Sequence, residues 1–420
     1  MTGSRKQLMD SSNFDVIVIG ARCAGSPTAM LLARAGIRVL LVDRDQFPSD
    51  TLSTHMIHPP GIAHLARWGL LDRLAATGCP SIEKYSFDFG AFTLSARPHP
   101  TEGIDTGFGP RRTVLDKLLI DAAADAGAEV REGFVVDELL LDADVVTGIR
   151  GHGKSGTTVV ERARIVVAAD GRHSVVAKTV RPSQYGDQPP LQCSYYTYWR
   201  NLPSDGFQIY ARNFRGWGVV PTHNDLTLVV VGWPYSEFDT NKKDVERAYL
   251  ESFQQAPEFA ERLGAATREA PYRGAAVPGY FRKPFGPGWA LVGDAGYNKD
   301  PVTAWGISDA FRDADLCATA IISWMNGSDE AVSGGADSEV FESAMTAYQH
   351  ARDADATAMF DLTCKFATLA PPSAQMRPLL EAASASEAAQ RQFVSMMAGT
   401  MPVSAFFAPE NVGRIMARQI

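Results

Sequence analysis

Gly20, Arg22, Cys23, Ala24 and Gly25 form a GARCAG turn between an apolar run, Val16 to Ile19, and a segment of small residues, and Asp43 ends a second apolar run 23 residues after Gly20. Glycine at 20 permits a tight turn, and glycine at 25 lets a following helix lie close to the strand. The helix end then offers unpaired N–H groups to a pyrophosphate. An acid at the end of the second strand, Asp43 with Arg44 beside it, suits the hydroxyls of an adenosine ribose. The chemistry these residues suit is dinucleotide binding, although Arg22 replaces the middle glycine of the usual fingerprint. His55 and His58 follow in a polar loop, DQFPSDTLSTHMIHPP. An imidazole titrates near neutral pH and can orient an acidic hydroxyl or relay a proton; a surface or capping histidine is the other reading.

A βαβ unit and the elements after it position these residues. Beyond the loop the pattern predicts a helix at about 61–76, a strand from Tyr85 to Phe92, and a helix through Val114, Leu115, Leu118, Leu119 and Ala122 that ends at Gly127. Residues 134 to 168 alternate like a β-meander and end on ARIVVAADGRHS, a buried strand closed by Asp170 and Gly171. The stretch from 190 to 233 is rich in strands and aromatics and predicts an antiparallel sheet. Tyr195, Tyr196, Tyr198, Trp199, Tyr210 and Trp217 alternate along it, some facing a cavity and most serving as core. A further apolar strand, WALVGDAG, precedes a helix expected from about Ala304. The chain from 336 onward is helical, broken at Pro371-Pro372 and near Pro402, with one linker-like tract, GSDEAVSGGADS.

Three motifs are now in view: GARCAG with Asp43, the strand to Asp170-Gly171, and GDAGYNKDPVTAWGISDAFRDADLCA at 293–318. Together they resemble the FAD-dependent monooxygenases of the para-hydroxybenzoate hydroxylase type, a superfamily shared with flavin-dependent halogenases and geranylgeranyl reductases. The resemblance spans roughly residues 14–325. It implies an α/β fold: a Rossmann-like FAD-binding domain at 13–60, 105–180 and 275–325, a substrate domain with an antiparallel sheet at 61–104 and 181–274, and a helical C-terminal region at 326–420. It also implies that Gly293 and Asp294 approach the ribityl chain, that Pro301 and Gly306 shape a turn beside the isoalloxazine ring, and that the helix carrying Ile307 points its positive end at the flavin. Arg112 matches an arginine that contacts the FAD phosphates or ribose, with Arg111 as the alternative. Trp305, where a small polar neighbour is common, stacks on substrate or flavin, narrows the site, or simply packs.

Departures from the family separate its branches. The fingerprint Asp-Gly-x-x-Ser-x-x-Arg has Ser174 but ends at Ala177, which leaves open whether electrons come from NADPH, NADH or a separate flavin reductase. The loop PSDTLSTH lacks the lysine of flavin halogenases, and RGWGVVP carries only Trp217, so halogenation is disfavoured. The leading expectation is an FAD-dependent monooxygenase that hydroxylates or epoxidises an aromatic or polyketide-like small molecule with molecular oxygen, through a flavin C4a-hydroperoxide. An FAD-dependent reductase of the geranylgeranyl reductase type, or a cyclase that keeps FAD structurally, are the alternatives.

Composition sets the outer limits. A net charge of −8 with dispersed Lys and Arg disfavours nucleic acid. No run approaches the roughly 18 apolar residues of a membrane span, and residues 1–12 lack an apolar export core. Five scattered cysteines without a C-x-x-C pair predict reduced thiols and no metal site. The expectation is a cytoplasmic monomer or homodimer.

Overall fold

A computed structural model describes residues 13–328 and 336–417. Most of the linker-like tract, residues 329–335, lies outside the described residues, as do residues 1–12 and 418–420.

The buried runs seen in the sequence form a parallel sheet in the order Glu129–Glu132, Val39–Asp43, Val16–Ile19, Ile165–Ala168 and Trp289–Leu291, with the short strand Phe285–Gly286 antiparallel at one edge. Both faces are covered, as a parallel sheet requires. Helices Gly25–Arg34, Arg112–Asp125 and Gly306–Ser328 share one core with it. On the other face, the meander Val135–Asp142, Val145–His152 and Thr158–Arg162 buries Leu139, Val146 and Ile149 beneath the sheet.

A second, eight-stranded sheet is mostly antiparallel. Its path runs Thr267–Arg268, Gln192–Arg200, Leu226–Pro234, Arg215–Pro221, Phe207–Arg212, Tyr85–Asp88 and Thr93–Ala96, with Arg273–Ala276 also beside Gln192–Arg200. Register fixes which residues share a face, because successive side chains point to opposite sides. Tyr196 lies opposite Val230, and Val230 opposite Gly218, on the front face. Trp199, Trp217, Val231 and Trp233 face the back, where helices Val245–Ser252 and Pro257–Gly264 add Tyr249, Phe253 and Phe259. Of the six strand aromatics, only Tyr196 and Tyr198 belong to the front-face core.

Three local expectations change. The helix expected at 61–76 is two helices, Pro59–Arg67 and Leu71–Ala75, because Gly69 takes a φ of +74° between them. The strand expected from Tyr85 to Phe92 stops at Asp88, whose carboxylate accepts the Gly90 N–H at 2.6 Å and turns the chain into Thr93–Ala96. The helix expected from Ala304 starts at Gly306: Ala304 is left-handed (φ +56°) and closes a 3-10 turn at Pro301–Thr303.

Helix Ala336–Ala367 runs along Gly306–Ser328, and four shorter helices from Met376 to Met416 lay Leu380, Phe393, Val394 and Phe406 against Phe87 and Leu94 of the second sheet.

Candidate active site

The glycine turn leaves no room for a side chain. A Cβ on Gly20, whose φ is +101°, would lie 2.4 Å from the Ala169 carbonyl oxygen, and one on Gly25 would lie 1.7 Å from the Gly20 carbonyl oxygen. Asp43 is buried and holds this turn in place: its carboxylate accepts the Ala21 N–H at 2.7 Å and the Asp45 N–H at 2.8 Å. Burial raises its pKa and those two N–H groups oppose the rise. Arg44 beside it is exposed and lies near Asp170.

Arg22 takes the place of the fingerprint's middle glycine and turns aside. Its guanidinium donates to Asp116, to Asp45 at 2.9 Å and to Ser49 at 2.8 Å. Asp116 is wholly buried and also accepts from Arg112 at 3.0 Å and from the Cys23 thiol at 3.4 Å. One carboxylate thus joins the helix starting at Arg112 to the glycine turn. Burial pushes the Cys23 thiol well above its ordinary value, so it is a packed, protonated group. Ala24 packs against the third motif, since a Cβ on Gly293 (φ +57°) would meet the Ala24 Cβ at 2.9 Å. No motif singles out Asp116. Its one signal in the sequence is the i,i+4 spacing from Arg112, on the helix face that also carries Leu115 and Leu119.

Arg112 and Arg111 diverge. Arg112 is buried, and its charge acts on Asp294, whereas Arg111 lies over the Tyr198 ring at 4.1 Å. Asp294 is accessible yet surrounded by protein; that enclosure pushes its carboxyl up to about 6, against the pull of Arg112 and Arg172. Asp170 accepts the Val175 N–H at 2.7 Å through one oxygen, while its other oxygen is buried with no hydrogen-bond partner among the described residues. Gly171 turns the chain at φ +75°, and Ser174 caps the next helix through the Ala177 N–H at 3.0 Å.

The third motif carries the remaining candidates. Pro301 opens the 3-10 turn, and Ile307 is buried in the core below it. Gly306, at the helix start, has open space where a Cβ would stand. Trp305 donates its indole N–H to the Met397 carbonyl at 3.2 Å and stacks on His58 with ring centroids 4.9 Å apart. The C-terminal helices therefore close over this loop, and Gly399 is where they must approach: a Cβ there would lie 1.9 Å from the Trp305 ring. His58 is buried, and its Nε2 pairs with the Thr303 carbonyl at 3.0 Å. Burial lowers its pKa to about 4, so Nε2 carries a proton that it donates and Nδ1 is free to accept. His55 is also buried, with positive φ (62°), and its Nε2 pairs with the Tyr198 hydroxyl; burial and the two neighbouring arginines keep it neutral. Behind Trp305, Lys299 pairs with Asp309 at 2.7 Å, and Asp309 with Arg312 at 3.0 Å.

Between the front face of the second sheet and Pro301, Val302 and Ala304 lies a partly open cavity with an apolar lining, which Leu369 also enters. Its floor contains Gly216, Gly218 and Gly232, with Ile209, Val220 and Val230 around them. Gln192 also lines it and donates its amide N–H to Asp300. Neither Gln192 nor Asp300 stands out in the sequence, where 108 residues separate them. Among the described residues, no group of three or more His, Cys, Asp or Glu is placed to hold a metal, and no helix is long and apolar enough to cross a membrane.

These residues fit an FAD. The glycine cradle would be filled by any Cβ, Asp170 has an unsatisfied buried oxygen at the turn beside it, and on the third motif Asp294 and Gly306 are exposed, with open space beside Gly306. A family profile described as an FAD binding domain matches residues 13–363. The chain belongs to this FAD-binding family.

Its relatives in the family carry out different reactions. The chain is 28% identical to digeranylgeranylglycerophospholipid reductase 1 of Methanopyrus kandleri over 71% of its own length and 77% of the relative's. It is 24% identical to the 1H-pyrrole-2-carbonyl-[peptidyl-carrier protein] brominase of Pseudoalteromonas luteoviolacea over 77% and 80%. It is 27% identical to 6-methylpretetramide 4-monooxygenase of Streptomyces rimosus over 75% and 76%. Among solved structures, the fold matches the flavin-dependent brominase Bmp2 with a TM-score of 0.77 at 18% identity, covering 97% of this chain and 98% of that one. It also matches PqsL of Pseudomonas aeruginosa, solved with 2-aminobenzoylacetate, with a TM-score of 0.68 at 20% identity, covering 92% and 98%. The α/β architecture with a helical C-terminal region is the one these flavoproteins share, and the protein is an FAD-dependent oxidoreductase.

Proposed function

We propose that this oxidoreductase is a monooxygenase that inserts one oxygen atom from O2 into a flat, largely apolar aromatic or polyketide-like molecule. The observation that carries the reading is the apolar cavity set directly against the Pro301–Ala304 loop and floored by the sheet, with Trp305 and the C-terminal helices over the same loop. Oxygen transfer to carbon requires a site that excludes water and holds an electron-rich carbon in place, and it asks for few catalytic side chains. The resemblance to a pretetramide monooxygenase, and the fold shared with a flavoprotein solved with a small aromatic keto acid, agree with this.

When bound, FAD supplies the oxygen-activating chemistry. Gly20, Ala24, Gly25, Asp43, Arg44, Arg112, Asp170, Gly171, Gly293 and Asp294 would hold it along the three motifs. The chain's own work at the site is positional. His58 donates its Nε2–H to Thr303 and so fixes the carbonyl of the loop, with Ser308 Oγ accepting the His58 backbone N–H at 3.1 Å. His55, through Tyr198, ties the loop after the second strand to the front of the sheet. Trp305 seals the loop against solvent. The helix from Gly306 would present its positive end to a bound FAD, where it favours negative charge. NADPH or NADH is the proposed electron source, directly or through a flavin reductase.

A reductase acting on an unsaturated chain is favoured by one observation, the likeness to the Methanopyrus reductase. Purified holoenzyme, reduced by NADPH or NADH without oxygen and then mixed with air and a panel of aromatic compounds, separates the two. Product heavier by one oxygen atom, carrying label from 18O2, supports the monooxygenase. Hydrogen addition to an alkene under strict anaerobiosis, with no labelled product in air, overturns it.

A further inference from the structure

The cavity is apolar except at one end, and that end has an acceptor without a donor. Gln192 begins the strand Gln192–Arg200 and is buried, 3% exposed, with its side chain on the cavity face. Its amide nitrogen donates to Asp300 Oδ1, which also accepts the Val302 N–H at 2.9 Å. The amide oxygen is therefore turned away from Asp300, and it has no hydrogen-bond partner among the described residues. It lies over the backbone of Gly232, 2.1 Å from where a Cβ would stand, so only glycine at 232 leaves the amide this position. Gly232 is itself in register with Gly216 on one side and Ser194 on the other.

A buried amide oxygen held rigidly and left unpaired is a cost to the free protein that a ligand donor removes. We propose that Gln192 is the specificity-determining residue of the cavity: its amide oxygen, oriented by Asp300, receives an N–H or O–H on the edge of a flat aromatic substrate held between the sheet and the Pro301–Ala304 loop, beside Leu369, which packs against Gly216 and Gly232. The glycines let Leu369 and the Gln192 amide lie close to the sheet and leave room above them, since a sheet position without a side chain lets another group approach the backbone. Ile209 and Val230 flank the floor and contribute apolar contact. Asp300 precedes Pro301, so the same hydrogen-bond chain reaches from the substrate's donor to the loop that the cofactor fit places beside the flavin. Substrate binding and loop geometry are thereby coupled through two side chains. Asp300 is a positioning residue and Gln192 the one that touches substrate.

The inference rests on the aromatic-substrate reading, and the test separates the two. Indole and benzofuran have the same size and shape, but only indole carries an N–H donor. Their binding to oxidised holoenzyme is read from perturbation of the flavin spectrum at pH 8.5, above the value of about 7 to which burial pushes Asp300, so that Asp300 is an acceptor throughout. Wild-type protein is expected to bind indole about tenfold or more tightly than benzofuran, the range in which a buried acceptor gains or lacks its partner. Gln192→Met keeps the length of the side chain and removes the amide; its preference for indole should vanish. Gly232→Ala keeps Gln192 but displaces the amide, and it should lose the preference as well, with flavin content reporting that each variant is folded. Equal binding of the two probes by wild type, or a preference retained in Gln192→Met, overturns the assignment to Gln192 and leaves the monooxygenase reading standing. If neither probe perturbs the flavin at millimolar concentration, the aromatic-substrate reading falls, and this inference with it.

Discussion

At the cofactor end of this molecule the side chains are charged and paired with one another, whereas at the proposed substrate end small residues take their place. Asp116 sits wholly buried among Arg22, Arg112 and Cys23, and Asp43 spends both carboxylate oxygens on backbone N–H groups. The floor of the proposed substrate cavity has three glycines in neighbouring strands, with Leu369 packed against two of them and one amide at its edge. A dinucleotide has a fixed shape and charge, so a rigid polar network shared by turn and helix can be built for it in advance. A flat apolar substrate asks for space, and in a sheet space comes from residues without side chains. Rigidity therefore resides in ion pairs on one side and in backbone on the other.

The largest break in this comparison is at the glycine turn. Gly25→Val would bring a Cβ to 1.7 Å from the Gly20 carbonyl, a clash of backbone with side chain that no rotamer relieves. No flavin-bound protein should be recovered, and a soluble yellow variant would show that the turn is not as tight as described. Next in size is Asp116→Ala, which leaves the buried Arg112 guanidinium without its counter-charge, while the half-buried Arg22 keeps only Asp45 and Ser49. Breaking a buried pair in this way costs about 3–5 kcal/mol, so thermal unfolding should move down sharply and FAD should be lost on desalting. Retention of both stability and flavin would mean that Arg22 and Arg112 find solvent or other partners.

At the substrate end the same kind of change should leave the fold alone. Gly218→Ala places its Cβ 3.2 Å from Ile209 Cδ1, which can rotate away, and 3.2 Å from Val230 Cγ1 at the cavity face. Stability should change by no more than about 1 kcal/mol, and flavin content should match wild type, while binding of aromatic probes falls at least about tenfold. A variant that loses flavin would tie the two ends together more closely than their chemistry suggests.

The two ends also differ in how far the sequence reveals them. The glycine turn, the strand ends at Asp43 and Asp170, and the alternation that puts Tyr196 and Tyr198 on one face and Trp199 on the other are local patterns, readable because strand and helix periods are fixed. Asp116 is readable in principle through its i,i+4 spacing from Arg112, but an exposed helix pair has the same spacing and only packing makes this one buried. Asp43 reads as a ribose acceptor, and its hold on the Ala21 N–H emerges only when the turn folds back on it. Gln192 and Asp300 come together from different motifs, and Ala304 adopts a left-handed conformation that its residue type does not announce. What the sequence hides is what long-range packing decides.

The smallest effect is a difference between two curves. Asp300 has a folded value of about 7 against 3.8 for the free side chain, so the folded protein binds the extra proton between pH 4 and 7, and this group's contribution to stability falls as pH rises through that window. His58 acts in the opposite sense over the same range: its value falls from 6.5 to about 4, so the folded state binds fewer protons and stability from this group grows with pH. The two nearly offset each other in wild type. Asp300→Asn removes the first and leaves the second, so the melting temperature of the variant, measured against wild type, should rise from pH 4.5 to 7 and level off above it. Each tenfold change in proton affinity is worth about 1.4 kcal/mol, and with solvent access taken into account the gain across the window is on the order of 1–3 kcal/mol. A difference independent of pH would show that Asp300 is already ionised in the folded protein, with its second oxygen reached by a donor that the buried geometry does not supply.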